Sequence, residues 1–239
     1  MPPTTPRNSL RERFREQVRE DVKAAALQQL AAGGAQAISI NAIARQLGVS
    51  GPTLYRYFAS RDNLLTALVV DAYEDLSDTL TRTFGDRAAG GTPEEHFRAL
   101  ARTYRAWALT EPHRYELLFK PPLPGYSAHT EPLAAAARSL MGLLLGLLPE
   151  LTPANPPPPV ATAPITNADV LTARSQSAPG FHLAVSVWTC MHGIVSLELG
   201  GGLSAMTIDS GTLFDHELEI LIARITKGRD APQKTRRAP

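Results

Sequence analysis

Leu10, Phe14, Val18, Val22, Ala26 and Leu30 recur every four residues, which draws one apolar stripe along a helix that Gly33-Gly34 ends. Glu12–Arg15, Glu16–Arg19 and Glu20–Lys23 alternate in sign at i,i+3 on its wet side. Ser39 stands where a cap belongs for a second helix through Ile40, Ile43, Ala44 and Leu47, which Gly48 stops. Ser50 stands likewise before a third, short helix, with Pro52 in its first turn and Leu54, Tyr55, Arg56, Tyr57 and Phe58 along it. Ser60 opens a long fourth helix over 60–84, with Leu64, Leu65, Leu68, Val69, Ala72, Leu76 and Leu80 on its inner side. The pattern restarts at Thr92 with Phe97, Leu100, Ala101, Tyr104 and Ala108 and stops at Pro112. Four more helices follow: His113–Lys120, Leu133–Leu148 ended by Pro149, Phe181–Leu199 closed by Gly200-Gly201-Gly202, and Thr212–Lys227. No strand-type alternation and no internal repeat is present, so the pattern predicts an all-α, nine-helix, two-domain chain.

Seven prolines lie in residues 149–164, and 149–178 reads as a flexible loop. Residues 1–9 read as a disordered arm and 228–239 as a disordered basic tail. The expected division is a three-helix domain over 10–65, a linking helix over 60–84, and a larger body over 85–227.

Composition narrows this frame. At 239 residues and 44% apolar, the chain can build one or two real cores. Cys190 stands alone, which excludes a disulfide framework or a cysteine-rich zinc site within the chain. No run approaches the roughly 20 apolar residues of a membrane span, and MPPTTPRNSL has no apolar signal-peptide core, so a cytoplasmic location is expected. The net charge of +1 hides its distribution: residues 1–65 carry +4, 66–226 carry −7, and 227–239 carry +4. A basic segment suits a polyanion and an acidic one a separate task, though short segments reach such values by chance.

Residues 39–58 read as helix, glycine-containing turn, helix, with Ile40, Ile43, Ala44, Leu47, Val49, Leu54 and Phe58 inside. In a helix-turn-helix the second helix enters the major groove and the first crosses the backbone. A helix opening on Ser50-Gly51-Pro52 is narrow enough to approach base edges, and Tyr55, Arg56 and Tyr57 place donors on its open side. The pattern alone is equally that of an ordinary αα corner.

The segment AISINAIARQLGVSGPTLYRYFASRDNLLTAL closely resembles the DNA-binding domain of the TetR family of bacterial transcriptional regulators. Ile43, Ala44, Leu47, Gly48, Val49, Ser50, Thr53, Leu54, Tyr55, Tyr57, Phe58, Ser60, Arg61, Leu64 and Leu65 carry the match. The resemblance implies that Gly51, Pro52 and Tyr55 face bases or the groove floor, with Asn41 from the preceding helix. It implies phosphate contacts from Thr53, Tyr57 and Arg61, with Ser39 and the backbone N–H of Ile40 on the neighbouring strand, and core roles for Leu54 and Phe58. Gly51 has no side chain, so direct readout falls on Asn41, Tyr55 and Arg56, or on DNA shape. Arg7, Arg11, Arg13 and Arg15 form a basic arm ahead of the motif that suits a minor groove, although the interleaved glutamates favour a solvated face.

The resemblance further implies a ligand-responsive repressor that binds a near-palindromic double-stranded DNA operator as a homodimer and is released by a small apolar or amphipathic molecule held in the body. Pocket candidates are Phe97, Tyr104, Trp107, Tyr115, Leu118, Phe119, Met141, Leu144, Trp188, Met191 and His192. Each taken singly fits plain core packing as well. Trp188-Thr-Cys-Met-His192-Gly193 resembles a subgroup marked by a Trp followed by His-Gly, as does Pro112–Phe119 more weakly. Thr212–Lys227 is apolar on more than one side, which with Phe181–Leu199 suggests a two-fold four-helix interface through Val187, Ile194, Leu197, Leu213, Leu218, Leu221, Ile222 and Ile225. A helix buried within one chain explains the same pattern.

No metal or cofactor is implied. The six histidines share no ligand spacing, no G-x-S-x-G elbow is present, and Gly200-Gly201-Gly202 lacks a following lysine, which argues against an enzyme. A protein-binding module with a vestigial helix-turn-helix is the other alternative, and Tyr55, Tyr57 and Arg61 argue against it.

Overall fold

A computed structural model describes residues 10–85, 90–120, 131–151 and 181–226. The expected arm over 1–9, nearly all of the 149–178 loop and the tail over 228–239 lie outside the described residues.

Among the described residues there are ten α-helices and no strand. They are α1 (Leu10–Gly33), α2 (Ile40–Gln46), α3 (Gly51–Tyr55), α4 (Arg61–Gly85) and α5 (Pro93–Thr110). Then come α6 (Pro112–Phe119), α7 (Glu131–Leu151), α8 (Phe181–Leu199), α9 (Gly202–Ala205) and α10 (Ser210–Thr226). A short 3-10 helix, Ala35–Ala37, joins α1 to α2. The tenth helix, beyond the nine expected, is the single turn α9, where three glycines predicted only a stop. Pro149 does not end α7, which runs on to Leu151. A proline in the last turn removes one of the helix's final hydrogen bonds, and the complete burial of Leu151 favours continuing the turn.

The chain divides into two compact units. The first holds the described residues of 1–72 and 113–128, so α6 belongs here and not with the body expected over 85–227. Its core is Val22, Ala26 and Leu30 of α1, Ile43 and Ala44 of α2, Leu54 of α3, Phe58, and Leu64, Leu65 and Leu68 of α4. The α1 stripe is therefore core only in its second half: Leu10 and Phe14 are 78% and 68% exposed. Of the three ion pairs expected along α1, Glu20–Lys23 forms at 2.7 Å, and Lys23 also reaches Asp71 on α4 at 2.7 Å. Burial alone would lower the Lys23 pKa, but the hydrogen bonds and charges of its acceptors Asp71 and Glu20 outweigh it and raise the value.

The second unit holds 73–112 and the described residues of 129–239. Thr92 opens α5 with a reciprocal capping box: its hydroxyl accepts from Glu95 N–H at 3.2 Å and its own N–H donates to Glu95 Oε2 at 2.7 Å. The amphipathic α5 then packs against α7, α8 and α10. It buries Phe97, Leu100, Ala101, Tyr104, Trp107 and Ala108, as its spacing predicts.

Candidate nucleic-acid interface and effector cavity

The helix-turn-helix is built by α2, a four-residue turn and α3. Ser39 caps α2 as expected, its hydroxyl accepting from Ala42 N–H at 3.3 Å. Gly48 turns the chain at φ +67°, a left-handed value that a side chain would resist. Ile40, Ile43 and Ala44 face inward from α2 and Leu54 from α3, so the polar residues between them point outward.

Ser39, Asn41, Ser50, Pro52, Tyr55 and Arg56 are exposed, while Gly51, Thr53 and Tyr57 are half-buried. Ile40 turns its side chain into the core, leaving only its backbone N–H for a ligand. A Cβ on Gly51 would stand 3.0 Å from Asn41 Oδ1, so the missing side chain at α3's start makes room for Asn41. That links two of the expected base-facing residues physically.

One expectation needs correction. Ser50 does not cap α3 through its side chain; its hydroxyl meets the Thr53 hydroxyl at 2.7 Å, and its carbonyl accepts from Thr53 and Leu54. The nearby threonine hydroxyl competes with the backbone donor for Ser50. Arg61 is turned inward, its Nη2 donating to the Ala35 carbonyl at 2.6 Å. It ties the start of α4 to the 3-10 helix through one of the guanidinium's five donors.

Sequence reasoning missed three residues that fix this surface. Arg19 donates from Nη1 to the Tyr57 carbonyl at 3.1 Å and lies 4.7 Å from the Phe58 ring centroid, which pins the end of the motif to α1. Gln29 accepts from Ser39 N–H at 2.9 Å, and Gln28 accepts from Gln46 Nε2 at 2.8 Å. Long polar side chains on a helix give no sequence signal for the element they will meet.

The second unit holds a cavity of about 50 Å³ with a wholly apolar lining. Leu80 of α4, Phe97, Leu100, Ala101 and Tyr104 of α5, Leu140, Leu143 and Leu144 of α7, and Val187, Trp188 and Met191 of α8 surround it. Five expected pocket residues therefore come together: Phe97, Tyr104, Leu144, Trp188 and Met191. Val187, expected at a dimer interface, is a sixth wall residue.

The remaining pocket candidates stand elsewhere. Trp107 donates from Nε1 to Asp75 at 2.9 Å. Tyr115 and Phe119 pack ring on ring, 4.8 Å apart, in the first unit with Leu118. Met141 is half-buried on α7 outside the wall, and His192 stacks behind Trp188 at 5.2 Å. Burial holds the His192 pKa below its ordinary value.

Three arginines of α5, Arg98, Arg102 and Arg105, are paired with carboxylates. The Arg105 guanidinium grips Glu198 through two bonds of 2.8 and 2.6 Å, and Ser210 donates to the same carboxylate at 2.8 Å. Arg98–Glu219 and Arg102–Asp215 continue the seam from α5 to α10. The Arg105 hydrogen bonds are the main cause holding the Glu198 pKa below its ordinary value. Of the expected dimer residues, Val187, Leu218, Leu221, Ile222 and Ile225 are covered by their own unit. Ile194 and Leu213 are half-buried and Leu197 is 50% exposed.

Residues 23–68 match the family model of bacterial regulatory proteins of the tetR family, and 97–221 match the tetracyclin repressor-like C-terminal domain. The chain belongs to the TetR family. The HTH-type transcriptional regulators Mb1846 of Mycobacterium bovis and Rv1816 of Mycobacterium tuberculosis are each 34% identical to it over 225 residues, spanning 87% of this chain and 92% of theirs. The crystal structure of SCO4313 superposes with a TM-score of 0.70 at 38% identity, covering 91% of this chain and 98% of the other. This TetR-family chain is thus a transcriptional regulator with a helix-turn-helix DNA-binding domain, not an enzyme.

Proposed function

We propose that this regulator is a repressor that binds a near-palindromic operator as a homodimer and is released by a small, uncharged apolar molecule. The observation that carries the reading is the apolar cavity, because Leu80 in its wall belongs to α4, whose other end begins just after the helix-turn-helix. An effector that needs more room than about 50 Å³ must displace wall residues, and that displacement would act on α4. Drug-sized ligands need about 300–1,000 Å³, so effector binding is coupled to opening. No lysine, arginine or carboxylate lines the space, so a charged effector group would remain unpaired there.

Dimerisation is assigned to α8 and α10. Leu197, Ile194 and Leu213 are the expected interface residues with apolar surface still uncovered. Two recognition helices about 34–36 Å apart, or a multiple of it, match a palindrome with half-sites one turn apart. A DNA-binding repressor works where the chromosome lies, which makes the cytoplasm its place.

The test selects bound fragments from genomic DNA, then measures binding to the selected sequence at graded salt and with neutral apolar compounds. The reading predicts a steep salt slope, preference over scrambled DNA, dimeric mass, and release by a neutral compound. A flat slope without sequence preference overturns it.

A further inference from the structure

The exposed start of α1 carries Arg11, Arg13 and Arg15, for which the sequence leaves a minor-groove arm and a solvated face open. Leu10 and Phe14 continue the apolar stripe into solvent, and they border an open groove of about 830 Å³. Arg11, Arg13 and Arg15 of α1 and Arg56 beside α3 line it with Tyr57, and no carboxylate does. Among the described residues, none of these four arginines is held in an ion pair or a hydrogen bond. Arg11 and Arg15 are i,i+4 neighbours, a like-charge spacing that costs an isolated helix a few tenths of a kcal/mol, about 0.2–0.5. Arg56 follows directly on the helix that presents Tyr55, so the groove borders the recognition surface itself. The family model begins only at residue 23, so the α1 side of the groove lies outside the family match, while Arg56 and Tyr57 lie within it.

The geometry points to a second nucleic-acid contact: the α1 groove takes the DNA phosphodiester backbone just outside the half-site that α2 and α3 read. This rests on the DNA-binding reading and extends it. Guanidinium forks pair with phosphate oxygens in bidentate geometry, and Leu10 and Phe14 offer an apolar edge to the intervening sugars. A second copy of the chain is a poor occupant, because it would bring its own arginines against these. Contacts of this kind add affinity and salt dependence without adding base preference.

The test compares the full-length chain with R11A/R15A and R11K/R15K, on two duplexes carrying the selected operator. One is trimmed at the half-site edges and the other extended by half a helical turn on each side. Alanine is the best helix former, so exposed Arg→Ala changes leave α1 intact, and thermal melting verifies it. R11A/R15A should lower the slope of log affinity against log salt by about 3.6 for the dimer, two phosphates per protomer at about 0.9 each. It should also lose the wild-type preference for the extended duplex, keep the preference for operator over scrambled DNA, and R11K/R15K should recover the slope. An unchanged slope with wild-type binding intact overturns the groove assignment alone. A wild type with no sequence preference overturns the DNA reading and the groove together. A variant that loses dimeric mass while keeping its slope assigns the groove to a partner copy and overturns the proposal.

Discussion

The first unit keeps donors of its helix-turn-helix exposed over an apolar core, whereas the second pairs three arginines of α5, the helix that also walls an apolar space, with carboxylates. In the first, Asn41, Tyr55 and Arg56 face solvent above Ile43, Leu54 and Phe58. In the second, Arg98, Arg102 and Arg105 are bound to Glu219, Asp215 and Glu198, and the incompletely filled region is lined by leucines and aromatics. An exposed donor has kept its hydration and can exchange it for a phosphate or base at small cost. A paired charge beside an apolar cavity can do neither, but it holds helices in place while the cavity stays empty. The contrast separates the exposed polar surface on which the DNA contacts are proposed from the apolar interior in which the effector is proposed.

The largest expected effect tests the interior. Phe97→Ala removes a buried ring from the cavity wall, and such a change costs about 3–5 kcal/mol. Denaturant unfolding of the intact protein should show this loss, with operator affinity retained where the variant is folded. A loss below about 1 kcal/mol would mean that the wall is loosely packed and the contrast is wrong.

Glu198→Gln comes next. It leaves the Arg105 fork and Ser210 facing an amide in a region where the Glu198 side chain is 13% exposed. Hydrogen bonds to charged groups contribute about 1.5–3 kcal/mol, and the loss should fall in or below that range. The sign with pH follows from the lowered Glu198 pKa: the stabilisation is complete above the ordinary glutamate value of about 4.3 and is lost as pH falls through it and below. The difference in unfolding free energy between wild type and E198Q should be constant near neutrality and shrink on acidification. A difference that grows at low pH would refute the pairing.

Tyr55→Ala sharpens the other side of the contrast. Tyr55 is 45% exposed on α3, so its removal should change stability by no more than about 0.5 kcal/mol. Affinity for the selected operator should fall roughly ten- to hundred-fold, about 1–3 kcal/mol, with little change on scrambled DNA. Equal losses on both sequences would make Tyr55 a backbone contact.

The two units were unequally legible in the sequence. Periodicity and caps located α1, α2, α4 and α5, because Ser39, Gly33-Gly34 and Thr92 act on their own neighbours. What escaped depends on partners far along the chain. Tyr115 and Phe119 look like pocket aromatics until α6 joins the first unit. Val187 looks like an interface residue until α5 and α7 close around it. Arg61 gives no sign in the sequence of its bond to the Ala35 carbonyl, which comes from a 3-10 turn that no periodicity announces. Residue type predicts burial well and partner identity poorly, which is why Asn41, Tyr55 and Arg56 are exposed as expected while the expected cavity residues divide between two units.

The smallest effect separates two roles that one hydroxyl can hold at once. Ser39 Oγ accepts from Ala42 N–H as a helix cap, and it retains an O–H to donate to a phosphate. Ser39→Ala should cost about 1 kcal/mol of stability through the cap and weaken DNA binding modestly. Ser39→Asp divides the roles, since aspartate caps a helix about as well as serine but sets a negative charge where a phosphate must come. With a phosphate contact, S39D should melt near the wild-type temperature yet bind DNA more weakly than S39A, most visibly at low salt. If S39D binds as well as wild type at low salt, Ser39 caps α2 and does not touch the backbone, and the exposed donor surface begins at Asn41.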